Sequence, residues 1–129
     1  MKKFFHQAIA LAGLMSVIAS ASGSTGIEML SKCEQAIRFM DGPKEKITSV
    51  MAADASYCMG AVEATTSMLV LHRDLVTEDK AVCMPKISLS QKARVAVKFM
   101  TGRPEILHLG SGAVLYLAFH DTYPCNPKI

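Results

Sequence analysis

The chain has no tryptophan, and three tyrosines and five phenylalanines are its only aromatic residues. No basic run interleaved with aromatics occurs, so the usual footprint of a nucleic-acid binder is missing. The cysteines include no C-x-x-C pair and the histidines no H-x-x-x-H pair, so no metal-ligand spacing is written into the chain. No apolar run reaches the roughly 20 residues of a membrane-spanning helix. No segment alternates with period two strongly enough to demand a strand. Phosphate-loop glycines and a nucleophile elbow are also lacking. Nine methionines are present without an M-x-M cluster; spread at helical spacing, they read as core filler rather than copper ligands. These absences call for no cofactor and no metal.

What is present starts at the N-terminus. MKKFFHQ leads into the apolar stretch AIALAGLMSVIAS, and small residues at Ala19 and Ala21 form an A-x-A cleavage site. The pattern is that of an export signal over residues 1–21, leaving a single domain over residues 22–129 in the periplasm. The 14 basic residues less Lys2 and Lys3 leave 12 against 11 acidic ones, so the exported chain is close to neutral. All four cysteines (Cys33, Cys58, Cys83, Cys125) lie beyond the signal, and an even count in a small exported domain points to two disulfides.

Helical spacing dominates the rest. Leu30, Cys33, Ile37 and Met40 define one face of a first helix that D-G-P ends at residues 41–43. Ile47, Met51, Ala55, Cys58, Val62 and Leu69 carry a second, long helix through SVMAADASYCMGAVEATTSMLVLH. The polar stretch LHRDLVTEDKAVCMPK reads as a loop. A third helix opens on the capping box of Ser88 and Gln91, and Gly102 is placed to end it in a left-handed cap before Pro104. The last element, roughly Glu105 to Thr122, runs through AVLYLAFH; either a helix begins near Ser111 or one helix is interrupted there by Gly110, Ser111 and Gly112. The expected fold is all-α: a small bundle of about four helices in two hairpins, stapled by two disulfides. Residues paired across a hairpin average to its turn. Cys33 with Cys58 averages to 45.5, close to the D-G-P turn, and Cys83 with Cys125 averages to Pro104, so this is the preferred connectivity, with a cross-link between the two hairpins as the alternative.

The segment FHDTYPC poses the main chemical question, because it holds a histidine, an aspartate and a cysteine. A cysteine nucleophile needs a free thiolate and an oriented base. Pairing with Cys83 removes the thiol, and neighbouring helical residues His120 and Asp121 point about 100° apart. His108, Ser111 and Asp121 can be drawn as a triad, as can triples in any small protein. Asp54 and Glu63 on the second helix lie on opposite faces, about 13 Å apart along the axis, and cannot act as a carboxylate pair. Asp54 reads as a hydrogen-bonded residue at the edge of the apolar face. No catalytic residue is assigned, and the chain reads as a rigid scaffold carrying loops.

The runs YCMGAVEA, CMPKISLSQKARVAVKFMTGRPEILH and AVLYLAFHDTYPC, in that order, resemble the Rap/Tai family of type VI secretion amidase immunity proteins. The likeness covers most of residues 27–125. The chain departs from it at Ala61, where the family often has an aromatic residue, and at the glycine-rich Gly110–Gly112. The resemblance implies a periplasmic inhibitor of a peptidoglycan amidase effector of cysteine–histidine type, acting through a loop inserted in the cleft and working as a homodimer. Composition nominates two loops for that contact. Asp74 to Lys80 carries Glu78 and Asp79. Arg103 to Ser111 carries Arg103, Glu105, His108 and Ser111, and its glycines would let a backbone approach a narrow cleft.

Two other functions fit parts of the chain. A general periplasmic acid-stress chaperone is also small, helical and disulfide-bonded, and it requires exposed apolar surface. A small hydrolase using His108 or His120 requires a free thiol or turnover.

Overall fold

The computed structural model describes residues 23–126, and the export signal expected over residues 1–21 lies outside the described residues. Four helices carry the chain: α1 (Gly26–Asp41), α2 (Ser49–His72), α3 (Leu89–Gly102) and α4 (Ser111–Thr122). Short 3-10 turns follow at Lys44–Lys46, Arg73–Leu75, Glu78–Lys80 and Pro104–Ile106. Among the described residues there is no strand, only two isolated bridges, Thr25 with Gly110 and Val82 with Pro124. The fold is the expected all-α bundle, and no described helix is long and apolar enough to cross a membrane.

α1, α2 and α3 each start on a side chain that satisfies backbone N–H groups left without partners in the first turn, while α4 starts at Gly110 with no side-chain cap. Thr25 and Glu28 form a reciprocal capping box on α1, Thr48 accepts from the Met51 N–H at the start of α2, and Ser88 with Gln91 forms the expected box on α3. The D-G-P turn ends α1 through Gly42, whose N–H donates to the Arg38 carbonyl at 2.7 Å. A Cβ on Gly42 would lie 2.5 Å from that carbonyl oxygen, so the turn has room only for glycine. Gly102 behaves differently from expectation. It is the last residue of α3, no described glycine has positive φ, and the cap falls on Arg103, whose N–H reaches back to the Met100 carbonyl at 3.2 Å. Pro104 starts a new 3-10 turn at once, which removes the need for a left-handed residue.

The core is built from small and flexible side chains. Met29, Cys33 and Ala36 of α1 meet Ala55, Cys58 and Val62 of α2, Ala93, Ala96 and Met100 of α3, and Val114, Leu115 and Phe119 of α4. The buried face of α1 is thus turned one position from the expected one. Met29 and Ala36 are buried, while their apolar neighbours Leu30 and Ile37 are half-buried at its edge. Alanines at the contacts let the helices approach closely. Gly26 does the same at the start of α1, where a Cβ would sit 2.9 Å from the Leu107 carbonyl oxygen and from Val114.

Polar groups on the helix flanks are drawn to specific partners. Lys32 meets Asp54 at 2.9 Å, which makes Asp54 the hydrogen-bonded edge residue expected and raises the Lys32 ammonium above its ordinary range. Lys92 bridges Glu63 at 2.9 Å and donates to the buried Thr66 hydroxyl at 3.1 Å. Arg94 joins α3 to Asp41 at the end of α1, at 2.7 Å, and holds that carboxyl below the usual carboxylate range. Both disulfides follow the hairpin reasoning: Cys33–Cys58 ties α1 to α2, and Cys83–Cys125 closes the chain's end onto the stretch before α3.

Candidate functional site

The two nominated loops meet α4 at opposite ends: Asp74 to Lys80 is held against its last turns, and Arg103 to Ser111 leads into its first. The first, Asp74 to Lys80, belongs to a run from Leu71 to Lys80 in which every residue is exposed. It is more ordered than a plain loop, because two 3-10 turns, Arg73–Leu75 and Glu78–Lys80, fold it back on itself. Tyr116 and His120 lie one helical turn apart on α4 with their rings stacked at 5.5 Å between centroids. The Tyr116 hydroxyl donates to the Lys80 carbonyl at 3.1 Å, and the His120 Nε2–H donates to the Asp79 carbonyl at 2.8 Å. Behind this brace, the Cys83 N–H donates to the Tyr123 carbonyl, the Cys125 N–H to the Ala81 carbonyl, and the Cys83–Cys125 disulfide locks the pair.

The Glu78–Lys80 turn therefore carries its charges on a fixed frame. A hydrogen bond from the Thr77 side chain holds the Asp79 carboxyl below the ordinary carboxylate range; desolvation opposes it, and a main-chain hydrogen bond and the nearby Lys80 and His120 add to the lowering. Glu78 and Asp79 stand beside each other on an exposed turn with Arg73 and Asp74 paired at 3.1 Å close before it.

The second loop, Arg103 to Ser111, is taken up in part by the fold. Arg103 faces Asp121 at 3.6 Å and lies over the Phe99 ring at 5.2 Å. Ser111 is half-buried; its Oγ accepts from the Ser24 hydroxyl at 3.0 Å and its N–H donates to the Ser24 carbonyl at 2.8 Å, so it anchors the start of the domain. Glu105 and His108 remain exposed between these anchors. Gly110 and Gly112 have open space where a Cβ would stand, and neither has positive φ, so nothing inside the chain demands glycine there.

This geometry keeps apart the groups of the Cys125 and Ser111 arrangements drawn from the sequence. Cys125 is bonded to Cys83, His120 is spent on a main-chain carbonyl, and Asp121 points away to Arg103. Ser111 and Asp121 sit at opposite ends of α4, about 15 Å apart along its axis, so they cannot share a triad with His108. Among the described residues no group of three or more histidine, cysteine or acidic side chains is placed to hold a metal. What remains is a surface: a braced acidic turn at one end of α4 and an exposed glycine-bearing segment at the other. Sequence reasoning nominated the turn by its charge but missed the brace. The spacing Y-x-x-x-H on an apolar helix was the available signal, since it sets two ring systems on one face.

Comparison with curated proteins and with solved structures gives no match. Comparison with protein families gives one: the profile described as Rap1a immunity proteins matches residues 25–125, from the α1 cap to the last cysteine. The match takes in all four helices and both disulfides, and the chain belongs to the family of Rap1a immunity proteins.

Proposed function

We propose that the protein is a periplasmic immunity protein that binds a peptidoglycan amidase effector of the type VI secretion system and occludes its cysteine–histidine cleft, working as a homodimer. Family membership supports an effector as the partner. The observation that carries the mode of action is the run from Leu71 to Lys80, wholly exposed yet braced by Tyr116, His120 and the Cys83–Cys125 disulfide. A loop ordered in advance loses little freedom on entering a cleft, so its contacts are realised as affinity rather than offset by ordering. An inhibitor of this kind contributes shape and charge and needs no chemistry of its own.

The brace makes Glu78 and Asp79 the leading contacts, with Arg103, Glu105, His108 and Ser111 on the flanking segment. A Glu78→Lys/Asp79→Lys variant is expected to inhibit the captured amidase at least roughly tenfold more weakly on purified peptidoglycan, about 1.4 kcal/mol or more of binding. Lys44→Glu/Lys46→Glu, at the far end of α2, is the matched control and is expected to inhibit like the parent. Equal inhibition by all three proteins would remove the acidic turn from the contact, and a loss confined to Glu105→Lys/His108→Glu would move the insert to the other loop.

A further inference from the structure

The two disulfides stand in opposite surroundings. Cys33 and Cys58 have no exposed surface and belong to the same buried cluster as Met29, Ala36 and Ala55. Cys83 is exposed and Cys125 is half-buried. A thiolate can attack a disulfide only at a sulfur it can reach, so an exposed bond is the labile one of a pair. A buried bond becomes reachable when the fold around it opens.

The exposed bond also sits beside the acidic turn. Ala81 and Val82, which follow that turn, are 5% and 2% exposed and anchor the segment in the core. Two main-chain hydrogen bonds join this segment to the end of α4, from the Cys83 N–H to the Tyr123 carbonyl at 2.8 Å and from the Cys125 N–H to the Ala81 carbonyl at 3.2 Å. The disulfide clamps both. Tyr116 and His120 hold the Lys80 and Asp79 carbonyls from the other side. Opening Cys83–Cys125 therefore frees one side of the frame of the turn, and it leaves the core, with Cys33–Cys58 inside it, closed.

We propose that Cys83–Cys125 is a thiol–disulfide exchange site, open to a dithiol reductant in the folded protein, and that its reduction loosens the Glu78–Lys80 turn while the helices and Cys33–Cys58 stay in place. One thiolate of the dithiol attacks the exposed Cys83 Sγ. The S–S bond breaks, its electron pair leaves on Cys125 Sγ, and that thiolate takes a proton from water. The second thiolate of the dithiol then attacks its own sulfur in the mixed disulfide and releases Cys83 as a thiolate, which is protonated in turn. The dithiol is oxidised to a disulfide, and the protein gains two electrons and two protons. Loss of affinity for an effector follows from the same loosening, because a turn that must be ordered on binding gives up part of its contact energy; that consequence alone rests on the immunity reading above.

The test starts with the folded protein titrated with dithiothreitol at neutral pH, quenched with acid, alkylated and mapped by peptide mass. The expected result is a plateau at two alkylated cysteines, Cys83 and Cys125, with helical circular dichroism unchanged. Cys33 and Cys58 should react roughly a hundredfold more slowly or more, and at full speed only in denaturant. A C-x-x-C protein of thioredoxin type, run beside dithiothreitol, separates the two sources of dithiol: the same two-cysteine product at micromolar protein assigns the exchange to a protein partner, and reaction with dithiothreitol alone assigns it to small thiols. Loss of both bonds together, or no reaction short of unfolding, would overturn the site.

Trypsin reads the turn without any effector. Cleavage after Lys80 requires the Ala81 main chain to come away from Cys125, so the reduced protein should be cut there roughly tenfold faster than the oxidised one. Cys83→Ser/Cys125→Ser should be cut like the reduced protein. Equal cleavage of the oxidised and reduced forms would overturn the coupling between bond and turn. Inhibition of the captured amidase is scored last, and the reduced protein is expected to be about fivefold weaker. A reduced protein that is cut faster yet inhibits like the parent keeps the exchange site and removes the acidic turn from the effector contact.

Discussion

Replacing Phe119 by alanine is expected to destabilise the protein by about 3–5 kcal/mol, at the upper end of what one core truncation does. Among the described residues Phe119 is the largest fully buried side chain and the only fully buried aromatic one. Its neighbours in that core include Ala36, Ala55, Ala93 and Ala96, which already hold the helices close together. The Cys33–Cys58 bond further fixes α1 against α2. The surroundings can therefore close little of the space that the ring leaves, and an unrelaxed cavity adds its own cost to the lost burial. For a domain of this size the melting temperature should fall by roughly 15 °C or more. Ile27→Ala is the control: Ile27 is 61% exposed, and its truncation should stay near 0.5 kcal/mol. Urea titration of both variants measures this, and a Phe119→Ala loss below about 1.5 kcal/mol would mean that the bundle repacks around the vacancy.

The second large effect belongs to the Cys83–Cys125 bond. A Cys83→Ser/Cys125→Ser variant should lose about 4 kcal/mol, because the bond closes a loop of 42 residues in the unfolded chain. The effect also reaches the surface. Without the bond, the Glu78–Lys80 turn is held by the Tyr116 and His120 hydrogen bonds and the short Cys83–Tyr123 and Cys125–Ala81 main-chain pairs. Urea midpoints should fall sharply, and binding of the effector should weaken even at temperatures where the variant is folded. A variant as stable as the parent would assign the work to those hydrogen bonds alone.

Several elements could be read from residue order and several could not, each for a physical reason. The span of α2 was legible because an unbroken helical pattern runs from the D-G-P turn to the polar stretch after His72. The disulfide partners were legible because both turns are marked by proline next to glycine or arginine, independently of the cysteines. The rotation of α1 was not, since Met29 and Leu30, and likewise Ala36 and Ile37, are adjacent apolar pairs that periodicity ranks equally. The cap of α3 followed the 3-10 turn started by Pro104 rather than the conformational freedom of Gly102. In the candidate site, charge nominated Glu78 and Asp79, but the brace depends on His120 reaching a carbonyl 41 positions earlier, which no local pattern records. Ser111, nominated as a contact, is held by Ser24 from the other end of the domain.

The most direct measurement of the central claim is a pull-down from envelope extracts of the source cells, with the disulfide-bonded protein as bait. Capture of one small cysteine–histidine amidase, near one copy per copy of bait and at neutral pH, is the predicted result. A scatter of unrelated proteins recovered mainly at acid pH would contradict it and point to a chaperone, and a bait that returns alone would contradict it equally.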